Sequence, residues 1–499
     1  MQKGVNNNSA LIRKKALLGV VSGIPVRVIS QSVNFLTLAI TARLLRPSDF
    51  GIYGLALVIG TLFLTLAESV LSNGLVQREF ISIRHLRSAQ YASILASLFA
   101  VAICIAMSPI MGYIFNNKEI SGVLALMSLA LPFKFMGAVR IAILQRDLRF
   151  QSVQFAALTG VLVCMVLTVM FAMLGFGAYA LAIGFISNSV GECLFARYRE
   201  KKRIKARFYK KEAGEIFEFS RPYLISQLMN FIALQGPMVV IGKMGGSVEL
   251  GIFNRTYTLQ TVPVNLVGGV GGKIVFASIS RLQSDEEQLK KILLTSIDLA
   301  AKLLLPASIG MALSASLIVN VVLGPQWQVA QSCLTILLAV LFARVGYIIP
   351  ETMLVAVGRV RNSAKRQAIY ACAGLVFSVL GICLYGLTGA VVGVALSIII
   401  FYCTSIMALN YMVKETYFFY VKSHLVGMGI AVPAAMVWFL LHRWLGSGTP
   451  EDCISCAAYF VVLLFTYLSL AAKYIGYVYE IKVLLFNTIR RLLARGGAA

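Results

Sequence analysis

From Leu17 to Ile475 the chain alternates continuous apolar runs with short polar joints. The runs have about the twenty residues that an α-helix needs to cross a hydrocarbon layer. They are too long and too evenly apolar for the alternating strands of a membrane barrel. Lipid leaves no partner for free backbone groups, so each run predicts a spanning helix. The pattern gives fourteen: 17–42, 51–73, 90–113, 122–144, 152–174, 178–198, 219–243, 251–275, 292–321, 330–355, 366–386, 388–413, 424–445 and 454–475. Turn-forming joints separate them, among them "RPSDFG", "FNNKE", "GFGA", "GPQW", "GLTG" and "GSGTPED".

Composition agrees with this reading. Of 499 residues, 59% are hydrophobic and 13% charged, against roughly 25% charged in soluble domains. The net charge of +25 would suggest nucleic acid in a soluble protein. Here the basic residues, including the run "RYREKKRIKARFYKK" over 197–211, fall on alternate loops. That is the positive-inside pattern. It puts both termini in the cytoplasm, accounts for the charge and argues against a nucleic-acid partner. The polar start, Met1 to Ser9, lacks the pattern of a cleaved signal.

A repeat is written into the chain. "ISQSVNF" (29–35) returns as "ISQLMNF" (225–231), and "SDFGIYG" (48–54) as "SVELGIFN" (247–254) at an offset of 200. Six helices separate the copies, so the halves run parallel about an axis along the membrane normal. The expected fold is therefore all-α and polytopic. It has a first six-helix lobe (11–198), a basic cytoplasmic linker (199–218) and a second six-helix lobe (219–413). Two further helices (414–475) and a basic cytoplasmic tail (476–499) follow.

Several charges fall inside the predicted helices. Arg27, Lys134, Lys302 and Arg344 sit deep, where each costs roughly 2.5–3.5 kcal/mol. Arg140, Arg221 and Arg255 lie nearer helix ends, where a long side chain can reach the interface. The deep acids are Glu68, Glu192 and Asp298. Glu68 matches Arg27 in depth, and Asp298 stands one helical turn from Lys302. Lys134 and Arg344 then have no obvious acid, and a hydrated cavity with surplus positive charge favours an anion. Ser30, Gln31 and Asn34, with Gln227 and Asn230 of the second copy, are the polar groups expected to touch sugar hydroxyls or a neighbouring helix.

Other chemistry is missing from the pattern. "GGVGGKIV" (268–275) lacks the first glycine and the final Ser or Thr of a phosphate loop. His85, His424 and His442 have no metal or triad spacing, so neither a metal nor a cofactor is expected. Seven of nine cysteines fall in apolar runs and are read as small hydrophobes. Cys453 and Cys456 form a lone CxxC, which leaves a disulfide open.

The stretch 27–79, and above all "ARLLRPSDFGIYGLA" (42–56), resembles the Wzx-type polysaccharide transporters of the multidrug/oligosaccharidyl-lipid/polysaccharide exporter superfamily. The resemblance implies a V-shaped, alternating-access flippase of the bacterial inner membrane and not an enzyme. Its substrate would be an undecaprenyl-pyrophosphate-linked oligosaccharide for exopolysaccharide, capsule or O-antigen. The cationic groups Arg27, Lys134, Arg255, Lys302 and Arg344 would meet the pyrophosphate. The resemblance also implies coupling to a proton or sodium gradient, with Glu68 and Asp298 as candidates, and association with a polymerase and chain-length proteins. Two alternatives remain open at this stage: a cation-coupled drug antiporter of the same fold, and a membrane polymerase or ligase acting through His442 and Arg443.

Overall fold

The computed structural model describes residues 25–67, 81–201, 204–279, 286–356, 360–410, 416–446 and 450–467, with positions 23 and 75. No strand occurs among them. The first half comprises α1 (25–44), α2 (Pro47–Ala67), α3 (Ile83–Ile114), α4 (Lys118–Ser128), α5 (Leu131–Arg146), α6 (Phe150–Met173) and α7 (Ala178–Arg199). The second half begins with α8 (Lys210–Met244), α9 (Gly246–Ile279) and α10 (Glu286–Leu313). Next come α11 (Ala315–Ile318), which runs into a π-helical turn at Val319–Leu323, and α12 (Ala330–Ala339). The half closes with α13 (Leu341–Gly346), α14 (Ile348–Ala356) and α15 (Val360–Asn410). Helices α16 (Thr416–Leu445) and α17 (Pro450–Tyr467) follow.

The described part of every predicted span is mainly helical. Eight helices among the described residues are long and apolar enough to cross a membrane, or ten when two bent pairs are each taken as one span. The longest, α15, is two spans: Tyr385 leaves helical geometry and Gly386 takes φ 60°, a left-handed conformation that favours glycine. The chain doubles back there, and Gly393 of the second arm packs on the Phe377 carbonyl of the first. In the first half α6 and α7 form the corresponding hairpin, turned through 175–177.

Three predicted spans are broken. The fourth is α4 and α5, and Pro132 opens α5, where its missing N–H is tolerated. The ninth bends by 63° between α10 and α11, and the tenth by 46° between α12 and α13. The connection between halves is shorter than the expected 199–218, because α8 begins at Lys210. Its lysines and glutamates are good helix formers, and Tyr209 N–H donates to Ser88 Oγ of α3 at 3.0 Å, which fixes where the helix starts.

The halves meet along α2 and α9, the two helices opened by the echoed phrase. A Cβ on Gly51 would overlap the Ser247 carbonyl oxygen, and one on Gly251 would overlap the Pro47 carbonyl oxygen. Under the offset of 200 these contacts exchange, while Gly54 faces its own equivalent, Asn254. The repeat therefore crosses itself, and only glycine lets the backbones approach so closely. Helices α16 and α17 pack against α10, where Tyr459 Oη donates to the Pro306 carbonyl at 2.7 Å and Tyr467 Oη to that of Lys302.

Candidate functional site

The seam continues from the glycines into a polar and aromatic cluster, at the end of the bundle away from the basic joints. Arg255, one helical turn beyond Gly251, is 8% exposed. Its guanidinium carbon stands 3.4 Å from the centroid of the Phe50 ring of α2, and Nη2 donates to Thr41 Oγ1 of α1 at 3.2 Å. Nε is buried without a partner, and no carboxylate among the described residues is within ion-pair distance. Arg255 thus does not reach out to an interface as its place in the sequence suggested. Burial in the seam overrides that tendency, because α1 and α2 close over it.

Trp327 also packs on Phe50, with ring centroids 5.5 Å apart. It is fully buried, and its Nε1 donates to the Ala42 carbonyl at 2.8 Å. Gln326 Nε2 donates to the same carbonyl at 2.5 Å and to that of Leu45 at 3.3 Å. Arg43 Nη2 reaches back to the Val321 carbonyl at 2.5 Å. The "GPQW" joint of the second half therefore satisfies carbonyls that the end of α1 leaves open.

A second buried guanidinium lies behind α9. Arg344 of α13 is 4% exposed, and it donates through Nη2 to Tyr257 Oη at 2.6 Å and through Nη1 to Tyr370 Oη at 2.7 Å. As the sequence suggested, no acid among the described residues pairs with it, and its Nε has no partner. Arg255 and Tyr257, two residues apart, point to roughly opposite sides of α9, so one helix stands between two cations.

Lys134 differs from the expectation. Its Nζ meets Glu192 Oε2 of α7 at 2.5 Å and Asn188 Oδ1 at 3.3 Å. It has an acid after all, supplied across the packing of α5 on α7, which linear sequence does not reveal. Asp298 and Lys302 pair as expected, at 2.5 Å, and Ser423 Oγ of α16 donates to the other Asp298 oxygen at 2.6 Å.

Arg27 donates to the Asn265 carbonyl of α9 at 3.4 Å, while its expected partner Glu68 lies outside the described residues. Ser30 is buried and bonded to the Val26 carbonyl of its own helix. Gln31, Gln227 and Asn230 are half-buried, and Asn34 is exposed. Arg140, near the basic end of α5, donates to the Glu200 carbonyl at 3.0 Å. The Arg221 side chain and the tail 476–499 lie outside the described residues. Cys453 and Cys456 are free thiols on one helix. His442 lies 3.2 Å from Asp452 and stacks on Trp438, and Arg443 is exposed.

The sequence did not single out Phe50, Trp327, Tyr257 or Tyr370. Phe50 stands inside the echoed "SDFGIYG" and Trp327 inside "GPQW", so an aromatic set against a buried arginine was the available signal. Tyr257 and Tyr370 belong to distant parts of the chain and carried none.

Residues 40–332 match the family described as polysaccharide biosynthesis protein. The succinoglycan biosynthesis transport protein ExoT of Rhizobium meliloti (strain 1021) is 26% identical over 308 residues, 61% of this chain and 62% of that one. The lipopolysaccharide biosynthesis protein WzxC of Escherichia coli (strain K12) is 22% identical over 318 residues, 63% of this chain and 65% of that one. The matches thus span less than two thirds of these relatives' length. In three dimensions the chain is similar to the lipid II flippase MurJ in an inward closed conformation, with a TM-score of 0.74 at 13% identity, over 93% of this chain and all of that one. It is also similar to an inward-facing multidrug resistance MATE family transporter, with a TM-score of 0.61 at 19% identity, over 79% of this chain and 99% of that one. These likenesses fix the fold as the V-shaped exporter architecture.

Proposed function

Because the chain belongs to the polysaccharide biosynthesis protein family, we propose that it is a flippase for a polyprenyl-pyrophosphate-linked oligosaccharide. Undecaprenyl pyrophosphate is the carrier, and the saccharide is a repeat unit of a surface polymer. The chain lies in the cytoplasmic membrane with both termini inside, and it hands its product to a polymerase.

The observation that carries this reading is the pair Arg255 and Arg344, two buried guanidiniums with no carboxylate neighbour among the described residues. A charge buried without an opposite charge is expensive. Such groups persist where an anionic ligand supplies what the protein withholds, and a guanidinium matches phosphate oxygens in geometry as well as charge. A drug/cation antiporter would require the opposite sign at the seam.

The two arginines flank α9, the helix at the junction of the halves. Parting of α2 from α9 uncovers Arg255 from Phe50 and presents a cation to the passing head group. The saccharide follows through the space that opens between the halves while the polyprenyl chain stays in lipid. No bond is made or broken. A proton or sodium gradient drives the cycle through Glu68 or Asp298. Arg27 adds positive charge along the path, and the polar groups Gln31, Asn34, Gln227 and Asn230 meet sugar.

The test is a deletion strain. Lipid-linked repeat units should accumulate on the cytoplasmic leaflet and polymer should stop. Continued appearance of those units outside contradicts the proposal.

A further inference from the structure

Lys134 is a deep cation of the first half, yet Glu192 holds it. The two side chains are 25% and 21% exposed, so the pair is neither sealed in the core nor out in bulk water. Its direction follows from helix periodicity. Phe185, Asn188 and Glu192 are spaced by three and four residues and share one face of α7. On that face the Phe185 ring approaches α2 at Gly60. Leu194, 58% exposed, lies on the opposite, outward face. The pair therefore sits among α5, α6 and α7, with Asn188 and Glu192 against Gly160 of α6, on the face that Phe185 turns toward α2.

We propose that Glu192 is a built-in competitor for the substrate's phosphate, holding Lys134 when the site is empty and yielding it when an anionic head group arrives. This rests on the flippase reading and adds a residue to it. The chemistry is an exchange of partners. The ammonium trades a carboxylate oxygen and the Asn188 amide oxygen for phosphate oxygens, and the freed carboxylate, an anion like the ligand, repels it. An anion bound against an internal rival leaves more easily than one bound to a free lysine. Glu192 therefore lowers affinity in the service of release, and it makes Lys134 a poor site for weakly charged lipids. Glu192 is a positioning residue, since it acts only through Lys134.

The test measures binding of undecaprenyl pyrophosphate to the detergent-solubilised full chain, with undecaprenol as the uncharged control. Glu192→Gln should tighten the pyrophosphate about tenfold and Lys134→Gln should weaken it by about as much, each a factor of roughly 1.4 kcal/mol. The double variant should match Lys134→Gln, because nothing remains for Glu192 to hold. Undecaprenol should be indifferent to all three. A melting measurement checks that each variant is folded. Should Glu192→Gln fail to fold, Glu192→Asp, which keeps the charge but lengthens the pair, should tighten binding by a smaller factor. Unchanged affinity in a folded Glu192 variant, or a gain that persists without Lys134, overturns this inference alone. No binding to the unaltered chain overturns the flippase reading and this inference with it.

Discussion

Arg255 and Phe50 stack across the seam between the two halves, with the guanidinium carbon 3.4 Å from the ring centroid. A desolvated contact of this kind is worth about 2 kcal/mol. Phe50→Leu keeps apolar bulk and removes the π-face, so it should lower stability by about that amount. Arg255→Lys keeps the charge but cannot spread flat on the ring or offer a planar fork. It should fold and reach the membrane, yet transport by it should fall at least about tenfold. Melting and export, measured on the same preparations, separate the two effects.

The self-crossing of the repeat makes a sharper prediction. Gly51→Ala and Gly251→Ala each push a methyl group into a backbone carbonyl of the other half. Because the two contacts exchange under the repeat, the variants should lose similar stability, about 1–3 kcal/mol each. The double variant should lose less than the sum, since one forced separation relieves both clashes. Melting of the four proteins checks this, and a large loss in one variant with none in the other would break the symmetry.

Trp327 locks the second half onto the end of α1. Trp327→Ala empties a fully buried site and should cost about 3–5 kcal/mol. Trp327→Phe keeps most of the packing against Phe50 and removes only the N–H. Gln326 still donates to the Ala42 carbonyl, so this variant should lose much less. The order of melting temperatures is the readout.

Tyr257 and Tyr370 carry the charge of Arg344. Tyr257→Phe leaves a buried guanidinium short of an acceptor and should cost about 1–3 kcal/mol. In an Arg344→Met background the same change should cost little, because the hydroxyl no longer has a cation to meet. A double-mutant cycle on stability measures the difference.

The architecture was legible because lipid forces it. Apolar runs, basic joints and the echo at an offset of 200 each reflect a local rule, and the helices fall where those rules put them. The fold of α15 at Gly386 was readable from "GLTG". The pairing of Asp298 with Lys302 was readable too, since both stand on one helix. Legibility ended where partners come from different helices. Glu192 reaches Lys134 across 58 residues, and Tyr257 reaches Arg344 across 87; no periodicity records either distance. Arg255 looked like an interface residue because depth along a helix says nothing about which neighbour covers it.

The central claim is that Arg255 and Arg344 receive a pyrophosphate, and transport in reconstituted vesicles tests it most directly. Labelled undecaprenyl-pyrophosphate-oligosaccharide and its monophosphate counterpart would be compared in the unaltered chain, Arg255→Gln and Arg344→Gln, with folded protein quantified in each. The unaltered chain should move the pyrophosphate form faster, and both substitutions should erase that preference. Transport by the folded variants that still favours the pyrophosphate as strongly as the unaltered chain would contradict the account.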